Sequence, residues 1–327
     1  MTSEEKIREL RGIIEREVSP LITRDYVLWG LPYHSNIGDT LIWEGELNFL
    51  KTIPHKCLDV CAWDGYRHKP LKKDTVILLH GGGYFGDTWR KGWEYPLDCI
   101  ENYPDNRIVL FPNTIYYEDK SLMAADAKRM ARLKNLVICA RDEVSYRIAK
   151  ENFSNEVRLV PDMAFCIQPS YLDKWRKPAN GRTLYLKRID KELGKGSVEI
   201  GGKDVDVRDW PTMDGKPHWQ DRAFSLSMRV KNRLSRHLPA LSAVGERLED
   251  WTAYHIYRPH LTRMGVEFVS PYKDIVTTRL HVMILATLLG QKVEFVDNSY
   301  GKLGSFYNSW LSDADNVQPY KGGEAKA

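Results

Sequence analysis

The chain contains no run of eighteen apolar residues, so the sequence predicts no membrane-spanning helix. Its start, Met1-Thr-Ser-Glu-Glu-Lys, has no basic segment followed by an apolar one, which predicts no secretory leader and a cytoplasmic location. Neither sign of charge is in large excess. The 48 Lys and Arg against 44 Asp and Glu leave a formal charge of +4, too even for a dedicated nucleic-acid binder. Cysteine is sparse and scattered, and Cys57-x3-Cys61 has no second pair at zinc spacing; reduced thiols and no metal are expected. There is no G-x-x-x-x-G-K-[ST] phosphate loop and no G-x-S-x-G nucleophile elbow. What is present is ordinary globular material, 43% apolar and 28% charged, with a notable ten Trp and seventeen Tyr. Aromatics in that number serve cores and also line sugar contacts. At one domain per ~150 residues, 327 residues favour two domains.

Residues 3–18 read as an amphipathic helix with an Ile7, Leu10, Ile13, Ile14, Val18 stripe and a Thr2/Glu5 capping box. Short apolar runs at 26–30, 57–61, 75–80, 107–111, 136–140 and 157–160 read as strands, with helices at 40–51, 121–134 and 142–152 between them. This alternation predicts a buried parallel sheet. A linker is expected at 168–182, rich in Pro and charge. A second alternation has strands at 183–188, 265–269, 274–278 and 292–297 and a helix at 280–289, and 201–262 is irregular. The expected fold is α/β, two Rossmann-like domains with a central cleft, divided as 1–170 and 171–327. The C-terminal helix is placed to pack back on the first domain.

In such sheets ligands bind beyond the carboxyl ends of strands, so the turns that follow strands are the candidate site. They are His34-Ser-Asn36-Ile-Gly38-Asp39, His80-Gly-Gly82-Gly83-Tyr-Phe-Gly86-Asp87, Arg141-Asp142, Lys187-Arg188, Arg279-Leu280-His281 and Asn298 to Lys302. Gly81, Gly83 and Gly86 match G-x-G-x-x-G literally. The match follows the third strand, however, and DTWRKGWEYP does not open a helix at once, which disfavours nicotinamide and flavin. Arg279 and His281 flank a helix start, where free N–H groups and the dipole attract an anion. The competing reading pairs Arg279 with a carboxylate such as Asp274 and leaves His281 in the core. Asp39 and Asp87 are equally able to cap helices.

Taken in order, these motifs, with the closing Phe306-Tyr-x-x-Trp310, resemble the polysaccharide pyruvyl transferase family over most of 26–312. The resemblance implies a GT-B-like fold and transfer of pyruvate from phosphoenolpyruvate to two sugar hydroxyls as a cyclic ketal, during capsule or exopolysaccharide assembly. Phosphoenolpyruvate is then a co-substrate and no cofactor is implied. The implied acceptor is a polyprenyl-diphosphate-linked oligosaccharide, with galactose as the guess for its sugar. His281 becomes the general acid, and Asp39 the base or acceptor clamp with Asp87 behind it. Arg279, Arg188, Arg141, Leu280, Asn36, Gly82, Gly83, Asn298 and Lys302 become substrate-binding residues. Val282 and Met283 depart from the small residue that many relatives place after R-L-H. The alternative is a nucleotide-sugar glycosyltransferase, with Glu294 or Asp297 on the ribose.

Residues 222–238 carry Arg222, Arg229, Lys231, Arg233 and Arg236 with Leu226, Val230, Leu234 and Leu238 at four-residue spacing. With Trp210 and Trp219 just upstream, this segment predicts either peripheral contact with an anionic membrane or simple packing on the second sheet.

Overall fold

The computed structural model describes residues 1–63, 70–193 and 198–322. The first half runs α1 (Ser3–Val18), β1 (Tyr26–Leu31), α2 (Ile37–Leu50), β2 (Cys57–Ala62), β3 (Val76–Leu79), β4 (Gly82–Gly86), α3 (Arg90–Asn102), β5 (Ile108–Tyr116), α4 (Lys120–Met130), β6 (Leu136–Ala140), α5 (Glu143–Asn152) and β7 (Glu156–Leu159). The second runs α6 (Pro169–Asp173), β8 (Thr183–Leu186), β9 (Val205–Arg208), α7 (Pro211–Asp214), α8 (Trp219–His237), α9 (Ser242–Thr252), α10 (Arg258–Val269), β10 (Asp274–Thr277), α11 (Leu280–Leu288), β11 (Val293–Phe295), α12 (Lys302–Phe306) and β12 (Val317–Pro319).

The strands form two parallel sheets. One has the order β2-β1-β3-β5-β6-β7, with β4 paired beside β5; the other has the order β12-β11-β10-β8-β9. Each therefore reverses direction of winding once, between β1 and β3 in the first and between β8 and β10 in the second. Their registers set Tyr26 opposite Val76 and Asp274 opposite Thr183. The carboxyl ends of these four strands are where a ligand crevice forms in such sheets.

Two helices leave those switch points, and both are apolar nearly all round. Every residue of α11 is buried, and α2 exposes little beyond a few polar side chains. A helix of that kind has to lie inside the protein. One apolar core accordingly runs through both halves, from Ile14 and Val18 of α1 through Leu41 of α2 to Leu261 of α10 and Leu285 of α11. At the C-terminus the chain returns to the first half. Ser305 Oγ donates to Asp142 Oδ1 at 2.8 Å, and Trp310 Nε1 donates to the Arg141 carbonyl at 2.7 Å.

Several expectations need correcting. The segment 265–269 is no strand but the end of α10. The glycine turn at 82–86 is itself a strand, β4, and α3 follows it despite Gly92 and Pro96. Residues 168–182 include the short helix α6, and the stretch 201–262 is ordered into β9 and a helical hairpin of α8 and α9. In that hairpin Lys231 is buried, paired with Glu249 at 2.6 Å, because Phe224, Ser227 and Lys231 face inward. Lys231 is therefore no membrane-facing cation. Trp210 is fully buried as well, whereas Trp219 is exposed.

Candidate active site

The N-termini of α2 and α11 meet. Asn36 caps α2, its side chain accepting from the Gly38 N–H at 3.0 Å, and Gly38 lies flat against the ring of His281 in the first turn of α11. A Cβ at Gly38 would fall 2.5 Å from His281 Nδ1, so glycine is required for this approach. Among the described residues no side chain caps α11, and the N–H of its N-cap residue, Arg279, donates to Thr277 Oγ1. Two helix dipoles thus point their positive ends into one place. Around them opens a cleft of about 810 Å³, whose walls include Asn36, Asp39, Gly83, Asp87, Arg188, Arg279, Leu280, His281 and Lys302.

The cations of the cleft are held in fixed poses by carboxylates. Arg279 Nη2 donates to Asp209 Oδ2 at 2.6 Å and to Asp190 Oδ2 at 3.2 Å; its partner is Asp209 rather than Asp274. Arg188 grips Asp190 with two donors, at 2.7 and 3.0 Å, and reaches Glu192 at 2.8 Å with its third. Glu192 is the hub. It also accepts from Trp89 Nε1 at 2.7 Å, from the Tyr300 hydroxyl at 2.9 Å and from Asn298 Nδ2 at 3.3 Å, and lies 3.5 Å from Lys302 Nζ. A side-chain anion already sits among donors from both halves of the chain, which is what an anion pocket requires.

Electrostatics follow from this burial. Burial pushes the Lys302 ammonium down to about 8 against the pull of Glu192, with Arg141 and Arg188 adding repulsion. Burial alone would raise Glu192, yet Lys302 and Arg188 hold its carboxyl well below the usual range. Asp162 is the same case, kept ionised by His281 and Arg141 in spite of complete burial. Arg141 Nη1 donates to Asp162 at 2.9 Å, and His281 Nε2 lies 3.4 Å from Asp162 Oδ2 without an aligned hydrogen bond.

Of the residues expected from sequence, three stand back from the wall. Arg141 is fully buried, with Nη2 near Gly83 and without a hydrogen-bond partner among the described residues; Gly82 pairs with Asn113 in the sheet; Asn298 supports Glu192 and accepts from the Lys302 N–H. Asp87 lines the cleft, but its Oδ2 accepts from the N–H groups of Glu118 and Asp119, both at 2.8 Å, so it pins a loop. Asp39 is held by Asn36 Nδ2 at 2.8 Å, with His34 Nε2 at 3.6 Å. The carboxylates Asp162, Asp190, Glu192 and Asp209 were not among the expected residues. Asp190 and Glu192 had a signal in the alternation Arg188-x-Asp-x-Glu after a strand, and Asp209 directly follows β9.

Because the meeting of the helices depends on one missing Cβ, Gly38→Ala should move His281 rather than unfold the chain. Activity is expected to fall about 10²-fold for a shift of roughly 1 Å, with the thermal midpoint nearly unchanged by calorimetry. Full activity would show that the His281 position is not critical.

Fold and site together define a parallel α/β protein with two switch points opening on one anion-holding cleft. The profile of the polysaccharide pyruvyl transferases matches residues 36–300, which include α2, β3, β8, β10 and α11, and the chain belongs to that family of transferases. It is 27% identical to EpsO of Bacillus subtilis, a candidate pyruvyl transferase by name, over 96% of this chain and 92% of that one. It is also 27% identical to pyruvyl transferase 1 of Schizosaccharomyces pombe, over 87% and 69% of the two chains. A solved structure of an uncharacterized Klebsiella pneumoniae protein shares the fold, with a TM-score of 0.61 at 18% identity over 96% of this chain and 99% of that one.

Proposed function

We propose that the protein transfers pyruvate from phosphoenolpyruvate to two hydroxyls of one sugar residue, releasing phosphate and leaving a cyclic ketal. The observation that carries this reading is the meeting of two helix N-termini beside Arg188, Arg279 and Lys302, a setting suited to a small, densely charged anion. The second half, with Arg279 and His281, is the donor side. The first half, with Asn36, Asp39 and the aromatic Tyr84, is the acceptor side, in a GT-B-like arrangement. His281 protonates the methylene carbon, and Asp39 serves the acceptor hydroxyls. The acceptor we favour is a polyprenyl-diphosphate-linked oligosaccharide of capsule or exopolysaccharide assembly, with galactose as its sugar. For a nucleotide sugar, the offered ribose partners are engaged: Asp297 accepts from the N–H groups of Leu303 and Gly304, and Glu294 from Gln318. Titration calorimetry with phosphoenolpyruvate and a set of nucleotide sugars tests the donor. Binding of phosphoenolpyruvate alone is expected; binding of a nucleotide sugar instead would overturn the reading.

Lys302 gives this site a pH signature. Its folded value of about 8 means that its charge, and its attraction for the donor, is lost as pH rises through that point. The phosphoenolpyruvate KM should climb about tenfold between roughly pH 7 and 9.5, the worth of one charge-assisted hydrogen bond. Lys302→Arg should flatten the rise, since a guanidinium stays charged.

A lipid-linked acceptor suits a surface that touches the membrane. The α8–α9 hairpin exposes Leu226, Leu238, Leu241, Val244, Leu248 and Trp251, flanked by exposed Arg222, Arg229, Arg233 and Arg236. Each cation near an anionic bilayer contributes about 1 kcal/mol. Its root adjoins the acceptor side, where Tyr33 donates to Asp250 at 2.9 Å one residue before His34. Sedimentation with phosphatidylglycerol vesicles should show binding at low salt that disappears at high salt and when the four arginines become Gln. Negligible pelleting of both proteins would remove the membrane contact.

A further inference from the structure

His80 directly follows β3 at the first switch point and lines the cleft, with only 2% of its surface exposed. All of its polar groups but one are occupied. Its N–H donates to the Trp29 carbonyl at 2.9 Å, and its own carbonyl accepts from the Tyr84 hydroxyl. Its Nδ1 faces Glu46 Oε2 at 2.8 Å, inside the protein. Glu46 is fully buried on α2, and its other oxygen accepts from the Gly81 N–H at 2.9 Å. An ionised Glu46 can only accept, and in that state it places the ring proton on Nδ1. The lone pair is then on Nε2, which is buried and has no hydrogen-bond partner among the described residues. A buried nitrogen left open in this way, on a ring fixed by a buried carboxylate, is the arrangement of a general base awaiting its proton.

We propose that His80, oriented by Glu46, is the base that takes the proton of the attacking acceptor hydroxyl. The inference rests on the pyruvyl-transfer reading above. As the hydroxyl oxygen bonds to C2 of phosphoenolpyruvate, its proton passes to His80 Nε2 while His281 delivers one to the methylene carbon, which becomes a methyl group. The second hydroxyl then attacks C2, the C2–O bond to phosphate breaks, and the second hydroxyl proton leaves with the phosphate. Overall the two hydroxyl protons are matched by one gained at carbon and one on phosphate; His80 then gives its proton to solvent and His281 takes one from solvent, which restores both rings. Asp39 clamps the acceptor, and Glu46 is a positioning residue for His80.

Glu46 on α2 faces the ring itself; Tyr84 on β4 holds the His80 carbonyl, and Tyr95 on α3 and Asp39 line the same cleft. Long-range proton–nitrogen NMR of the histidine-labelled wild-type protein reads the tautomer directly. A protonated Nδ1 and bare Nε2 at His80 are expected; a protonated Nε2 at neutral pH would overturn the proposal. Kinetics with phosphoenolpyruvate and a panel of methyl glycosides, galactoside included, supply the second arm. His80→Gln should lower turnover about 10²–10³-fold and leave phosphoenolpyruvate affinity by calorimetry unchanged. Glu46→Gln should move the acid limb of kcat/KM for the acceptor to lower pH, because the imidazolium loses its carboxylate partner. A structural role alone would lower activity without moving that limb. Wild-type turnover in His80→Gln, or loss of donor affinity in step with turnover, contradicts the assignment. A wild-type protein that releases no phosphate from phosphoenolpyruvate with any acceptor overturns the donor reading itself, a result distinct from loss confined to the variants.

Discussion

Replacing His281 by Ala is expected to depress turnover by about 10²–10⁴-fold while the protein remains folded. The ring sits in the first turn of α11, against Gly38 of the other switch point, with Nε2 3.4 Å from Asp162 and no aligned hydrogen bond to spend. Because His281 also helps keep the buried Asp162 ionised, the thermal midpoint of the variant is followed beside its turnover. Stopped-flow and steady-state phosphate release, with calorimetric binding of phosphoenolpyruvate as control, separate chemistry from affinity. Near-normal kcat over the whole pH range would remove His281 from the chemistry.

The largest effect on stability is expected from Arg141→Leu. Arg141 and Asp162 are both fully buried and bonded at 2.9 Å, and removing the guanidinium leaves a buried carboxylate facing the His281 ring. Breaking one side of such a pair costs about 3–5 kcal/mol. The pH dependence has a definite sign. Asp162 titrates far lower in the folded chain than its unfolded value near ~3.9, so in acid the unfolded state binds more protons. Its stabilisation is present above about pH 4 and is lost as pH falls below that. The urea midpoints of wild type and Arg141→Leu should therefore lie far apart at neutral pH and draw progressively together as pH falls below about 4. A constant separation would mean that the pair is not what Arg141 stabilises.

The sequence makes legible whatever depends on local pattern. The Thr2/Glu5 box starts α1 where expected, and the apolar runs that became β1, β3, β5 and β6 are as continuous as strands buried on both faces must be. The misreadings lie where packing overrides propensity. Gly-Val-Glu-Phe-Val at 265–269 looks like a strand, but it continues a helix whose Gly265 lets Ile37 approach; a Cβ there would be 2.7 Å from Ile37 Cγ2. Gly92 and Pro96 argue against α3, yet that helix is held by Trp93, which stacks on Phe85 at 3.7 Å and buries its indole. Gly86, with φ +135°, serves close strand contact rather than a phosphate turn, since a Cβ would meet the Tyr116 carbonyl at 1.8 Å. For the site, strand-end turns placed Arg188, Arg279, His281, Lys302 and Asp39 around one cleft. They did not reveal which carboxylates hold the cations, because Asp209 and Asp162 come from distant parts of the chain. Glu46 had no signal of its own, being one of three carboxylates, with Asp39 and Glu44, in a largely apolar helix.

The central claim is that this cleft moves pyruvate from phosphoenolpyruvate onto a sugar. Incubating the purified protein with phosphoenolpyruvate and a lipid-linked or soluble galactoside, then following phosphate and the mass of the glycoside together, tests it most directly. The account predicts one phosphate released per glycoside modified, and a product heavier by pyruvate less one water, from which mild acid frees pyruvate. Phosphate release without a modified sugar, or a product that appears only when a nucleotide sugar is supplied, would contradict it.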